Sequence, residues 1–218
     1  MYKLSFIQQG QNAIKSILFL GAHCDDIEIG CGGTLLRLAE DNPQVSILWV
    51  VFSSSPAREK EARASAKKFL AKFSNTTIVI KNYRNGFFPY IASEIKEYFE
   101  DIKKQLSPDI VFTHYRSDLH QDHRLVSELT WNTFRDHLIF EYEIVKYDGD
   151  FGSPNFFVPI PAEICERKIN IITDCFKSQQ GKQWFDRETF LSILRLRGVE
   201  CASQSRYAEA FYCRKLVV

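Results

Sequence analysis

Two short polar clusters hold the residues able to do chemistry. The first is Gly21-Ala22-His23-Cys24-Asp25-Asp26 and the second is Asp118-Leu119-His120-Gln121-Asp122-His123, each directly after an apolar run. Together they gather three of the chain's five histidines beside several carboxylates. Imidazole nitrogen and carboxylate oxygen are ligands that zinc accepts, and a catalytic zinc uses three protein ligands and keeps a position open for water. Such an ion brings the pKa of water toward ~7 and polarises a carbonyl or phosphoryl oxygen.

His23 and Asp26 can both point inward from one tight turn, and His123 can close the set from the second cluster. Asp25, adjacent to Asp26 but aimed differently, is then the natural general base. Capping is the competing explanation, because a lone His or an Asp-Asp pair at a strand end commonly satisfies a turn or a helix terminus. It accounts for either cluster alone but not for the two meeting, so the reading depends on how the fold places them.

Apolar β-rich runs at 17–20, 45–52, 77–80 and 110–113 predict strands, and all but the last are followed by a helical stretch. The predicted helices are 33–40, 56–73 and 91–106. Pro56 suits a first turn, and Ser107-Pro108 stops the third helix. Alternation of this kind, with right-handed crossovers, predicts a Rossmann-like, doubly wound α/β fold, its mostly parallel sheet covered by helices on both faces. In the strand order 3-2-1-4 the first and fourth strands are neighbours, and their loops flank the crevice where ligands bind. Beyond residue 140 the pattern loosens, with a strand expected at 141–147, a loop at 149–161, a helix at 164–177 and a final strand at 207–218. Gly30-Cys31-Gly32-Gly33 lacks the GxGxxG spacing and reads as a close-packed helix entry, with backbone donors facing a substrate as a second option.

With 218 residues the chain suits one domain spanning 1–218, and its 45% apolar and 25% charged content is that of an ordinary globular protein. Lys plus Arg number 28 against 27 Asp plus Glu, so nucleic acid is not an expected partner. The first ten residues lack the apolar core of a secretory signal, and no run is long enough for a membrane span, so a cytoplasmic location is expected. Six cysteines without a CxxC pair read mainly as buried small hydrophobes.

The motifs resemble those of the LmbE-like (PIG-L) N-deacetylase family, A-H-P-D-D-E and H-x-D-H, here Ala22-His23-Cys24-Asp25-Asp26-Ile27 and His120-Gln121-Asp122-His123. The likeness continues through 28–34, through Arg58-Glu59-Lys60-Glu61-Ala62, and to Tyr207-Ala208-Glu209-Ala210-Phe211. Cys24 stands where the family has Pro, and Ile27 where it commonly has Glu. A turn without that Pro needs other contacts to aim His23 and Asp26, and a thiol there invites oxidation.

The resemblance implies His23, Asp26 and His123 as ligands of Zn2+ or another divalent transition metal, with Asp25 as general base. It further implies that His120 polarises the carbonyl or protonates the leaving amine and that Asp122 orients an imidazole. Arg58 matches a pocket position, though on so charged a helix a solvated face is an equal reading. The implied activity is removal of acetyl from the nitrogen of an N-acetylated amino sugar: a glucosaminyl conjugate, a glycan precursor or a nucleotide-linked sugar. The stretches 83–90 and 148–161 are expected to shape the pocket or merely to pack as loops. Family members often form homo-oligomers. Two alternatives stand beside this: a catalytically silent metal- or sugar-binding module of the same fold, and a dinucleotide-dependent oxidoreductase, disfavoured by the missing phosphate loop.

Overall fold

The computed structural model describes residues 13–217, so the N-terminal reading of residues 1–10 lies outside the described residues. Strand β1 (Ser16–Gly21) shows how the fold is built. Ile17 and Phe19 enter one apolar layer and Leu18 and Leu20 the other, all fully buried. A strand buried on both faces reads as an unbroken apolar run, and that is why it is visible in the sequence. Pairing runs in parallel register from β1 to β2 (Ser46–Val51) and from β2 to β3 (Asn75–Ile80). On its other side β1 pairs with β4 (Ile110–His114), which pairs with β5 (Leu138–Tyr142), again in parallel. Two antiparallel strands, β6 (Phe156–Pro159) and β7 (Ala208–Cys213), complete a seven-stranded sheet of order β3-β2-β1-β4-β5-β7-β6. The expected 3-2-1-4 order is therefore present, and winding reverses between β1 and β4.

Helices α1 (Asp26–Asp41), α2 (Pro56–Leu70), α5 (Ala162–Cys175) and α6 (Arg187–Glu200) supply the layer that contains Phe19 and Trp49. On the opposite face α3 (Ala92–Gln105), entered through a 3-10 turn at Phe88–Ile91, buries Ile95, Phe99 and Ile102 beside α4 (Gln121–Thr133). Among the described residues no helix is long and apolar enough to cross a membrane.

Several boundaries differ from expectation. α1 begins at Asp26, seven residues earlier than predicted, so the glycine run lies inside the helix. Gly30 is required there because a Cβ would sit 2.2 Å from the Tyr142 ring. The backbone donors of that run do not face a substrate: Gly33 and Thr34 donate to Glu209 at 2.7 and 2.6 Å. Where a regular helix would pair Gly33 N–H with the Ile29 carbonyl, Glu209 takes the donor, and Lys168 Nζ, 2.6 Å from Glu209, donates to that carbonyl at 2.7 Å.

The strand expected at 141–147 ends at Tyr142, and β6 occupies part of the expected loop. α4 and α6 are additional helices.

Candidate active site and metal centre

Both clusters lie at the C-terminal ends of β1 and β4, where winding reverses. The first is a tight turn closed by the Asp26 carboxylate, whose Oδ2 accepts the His23 backbone N–H at 2.6 Å. This bond holds the turn that a family Pro would otherwise stiffen. Cys24 is buried behind it and donates to the Ser53 carbonyl at 3.4 Å, and burial pushes its thiol up to about 12. A protonated, enclosed thiol is a poor target, so the expected sensitivity to oxidation does not follow from this geometry.

The second cluster is not only a loop. His120 caps α4, and Asp122 and His123 belong to its first turn, both buried. One helical turn thus aims His123 across the crevice at His23, its Nε2 3.1 Å from His23 Nδ1. Asp26 Oδ2 lies 3.4 Å from His23 Nδ1 and 3.6 Å from His123 Nε2. Ligand atoms ~2.0–2.2 Å from one tetrahedral zinc stand roughly 3.3–3.6 Å apart, so this triangle fits a single ion.

Two further ligand sets crowd the same place, His23/His120/His123 and Asp26/His114/His123, each with its ligand atoms within 4.8 Å of one another. Ring geometry separates them from the triangle. His123 is sandwiched between His120, at 4.5 Å and 26°, and His114, at 4.0 Å and 18°. Nitrogen lone pairs lie in the ring plane, so near-parallel stacked imidazoles cannot both aim at one ion. His23 and His123 are inclined at 48° and face each other through nitrogens.

Each of these two rings turns its other nitrogen on a carboxylate. His123 Nδ1 donates to Asp118 Oδ2 at 2.9 Å, and His23 Nε2 lies 3.2 Å from Asp122 Oδ2. Carboxylate-backed imidazoles of this kind are the usual support of a metal site. Asp122 is itself fixed by the backbone N–H groups of Gly86 at 2.6 Å and Phe88 at 3.1 Å. Burial opposes charge on His23, but Asp26 and Asp122 prevail and raise it to about 10. Burial and the neighbouring His114 instead lower His123 to about 3. Burial disfavours the Asp26 anion, yet the surrounding imidazoles hold its pKa well below the carboxylate range.

Asp25 is 5% exposed, with Oδ1 accepting from Arg58 Nη2 at 2.8 Å while Oδ2 is buried without a protein partner. Burial raises its carboxyl and Arg58 pulls it down. Arg58 therefore does not lie on a solvated face. Ser55 caps α2 and seats Arg58 in its first turn, from which the side chain reaches the cavity wall. His120 accepts the Asp122 N–H at its Nδ1, so its neutral ring carries the proton on Nε2. Burial and the nearby His23 lower its pKa.

These groups open into one cavity of about 780 Å³. Tyr83, Arg84 and Asn85 line it from the first expected pocket stretch, but only Asp148 does so from the second. Trp184, Lys182, Lys146 and Tyr147 are also in its walls. Lys146 is held by Asp118 at 3.0 Å and by Asp150. His114 and the part played by Asp118 are what the sequence reading missed. A lone histidine ending an apolar strand gives little signal, whereas Asp118 stands five residues before His123 in the same cluster.

The GlcNAc-PI de-N-acetylase family model, PIG-L, matches residues 18–134, more than half the chain. The chain belongs to the PIG-L family. Among curated proteins this PIG-L member is 33% identical over 132 residues to the "Uncharacterized deacetylase YaiS" of Escherichia coli (strain K12), covering 56% of this chain and 69% of that one. Its fold is shared by the N,N'-diacetylchitobiose deacetylase of Pyrococcus horikoshii, with a TM-score of 0.67, 22% identity and coverage of 92% of this chain and 84% of that one. It is shared equally by GalB, the 4-carboxy-2-hydroxymuconate hydratase of Pseudomonas putida KT2440, with a TM-score of 0.74, 18% identity and coverage of 94% and 98%. One fold thus carries different chemistries, and the argument for a reaction has to come from the site.

Proposed function

We propose that this deacetylase-family chain is a zinc-dependent hydrolase that removes an acetyl group from the nitrogen of an N-acetylated amino sugar. The observation that carries the reading is the His23–Asp26–His123 triangle, which opens together with Asp25 and His120 into one cavity. Such a triangle keeps a position open for water, and the neighbouring Asp25 carboxylate is the base that a hydrolase needs.

His23, Asp26 and His123 would hold the ion, which when bound would polarise the acetamide carbonyl and make water acidic enough to ionise near neutral pH. Asp25 takes a proton from water at Oδ2 while Arg58 fixes Oδ1 and hence the carboxylate's aim. His120 presents its Nε2–H to the carbonyl oxygen, where negative charge develops as the hydroxyl adds. The proton held on Asp25 then passes to nitrogen as the C–N bond breaks, giving acetate and a free amine. Asp122 and Asp118 keep His23 and His123 in their orientations. The sugar ring occupies the cavity between Arg58, Tyr83 and Trp184. The cytoplasm as its place of action and assembly into a homo-oligomer belong to the same proposal.

The test is acetate release, with matching free amine, from a panel of N-acetylhexosamine conjugates by protein stripped of metal and then reloaded with zinc. Activity restored by zinc supports the reading. Zinc or sugar binding without acetate from any conjugate overturns it in favour of a silent binding module.

A further inference from the structure

We infer that His114, which lies outside both sequence clusters, is a positioning residue of the metal centre and not one of its ligands. This rests on the reading that His23, Asp26 and His123 hold the ion. His114 ends β4 and is fully buried. Its Nε2 accepts the Ala22 backbone N–H at 2.9 Å and lies 3.2 Å from Asp26 Oδ2. Its ring stacks on His123 at 4.0 Å and 18°. One side chain therefore touches the residue preceding His23, the Asp26 carboxylate and the His123 ring.

The hydrogen bond fixes its role. Ala22 N–H can only donate, so Nε2 acts as the acceptor and its lone pair is committed. With no proton on Nε2, His114 leaves the Asp26 oxygen free for its His23 bond and for the ion. Stacking excludes His114 from sharing an ion with His123, because the lone pairs of near-parallel rings cannot converge on a point ~2 Å from both. Nδ1 is buried without a partner. An apolar side chain of similar size would avoid that penalty, so packing alone does not account for a histidine here. The Tyr142 hydroxyl, which donates to the Leu20 carbonyl at 2.5 Å, passes 3.4 Å from Nε2.

Two variants separate the contributions. His114→Phe keeps a flat ring against His123 and deletes the acceptor, whereas His114→Gln offers an amide oxygen to Ala22 and deletes the ring. Zinc affinity is measured by competition with a chromophoric chelator, alongside thermal melting of the metal-free proteins and the split of kcat and KM after zinc saturation.

The expected result is a loss of zinc affinity of about 10–100-fold in each variant, the range for groups that orient ligands. A fall in kcat with KM little changed is expected as well. Parental zinc affinity in both variants, even with a lowered melting temperature, overturns the inference and leaves the deacetylase reading intact. A loss as complete as that of His123→Ala in both variants overturns it by making His114 a ligand. Failure of the parent protein itself to bind zinc overturns both readings. If His114→Phe does not fold, His114→Gln decides.

Discussion

Arg58 grips one oxygen of Asp25 and leaves the other bare: Nη2 donates to Oδ1 at 2.8 Å, and Oδ2 has no protein partner. Burial raises the Asp25 carboxyl, and the guanidinium works against burial. In Arg58→Gln the lowering influence is gone and the carboxyl rises further. A general base acts only when deprotonated, so the acid limb of kcat/KM moves to higher pH, and lost positioning lowers kcat by up to about 100-fold. A pH profile of acetate release checks this. An unmoved limb would show that Arg58 does not tune the base.

In the proposed site, zinc would displace a proton from His23. In the metal-free protein its pKa is raised to about 10, so near pH 7 the ring is charged, whereas His123, lowered to about 3, is neutral. A metal needs the free lone pair. Between pH 7 and 9 the expected outcome is release of about one proton per zinc from His23, with apparent affinity rising about tenfold per pH unit from this group. Calorimetry in buffers of different ionisation enthalpy counts the protons, and the count falls by about one in His23→Gln if the residual site still binds zinc.

Asp118 has no route to the substrate, since it is buried and spends its oxygens on His123, the His120 N–H and Lys146. Asp118→Asn is therefore expected to weaken zinc binding by about 10–100-fold with KM little changed at saturating zinc. Chelator competition and steady-state kinetics on the same preparation measure both quantities.

Lys168 and Glu209 form a buried pair, each 3% exposed, clamped onto α1. Removing one partner strands the other charge and frees backbone groups of the helix that begins at Asp26. Lys168→Met should cost about 3–5 kcal/mol in urea unfolding of the metal-free protein. A loss below ~1 kcal/mol would mean that solvent already reaches the pair.

What was legible in the sequence divides along physical lines. β1, β2 and β4 are apolar on both faces and announce themselves, and their parallel order places the two clusters together. α4 was hidden because most of its buried positions are polar, Asp122, His123, Ser127, Thr130 and Thr133 beside Val126, so its apolar stripe is short. The polar residues are inside because they build the site and its supports, and that is where a hydrophobic-periodicity argument must fail. The early start of α1 was masked by a glycine run that reads as the entry to the helix and not as its interior until Tyr142 and Phe69 are seen packed against it. β6 contains Pro159 and lies at a sheet edge, where proline is tolerated but strand patterning is weak. His114 was illegible because its partners Ala22, Asp26 and His123 come from other elements.

The central claim is that His23, Asp26 and His123 share one ion beside Asp25. Anomalous diffraction at the zinc edge from zinc-soaked crystals tests it most directly. The account predicts one strong peak ~2.0–2.2 Å from His23 Nδ1, Asp26 Oδ2 and His123 Nε2, with Asp25 outside bonding distance. A peak ligated instead by His114 or His120, or no peak within this triangle, would contradict it.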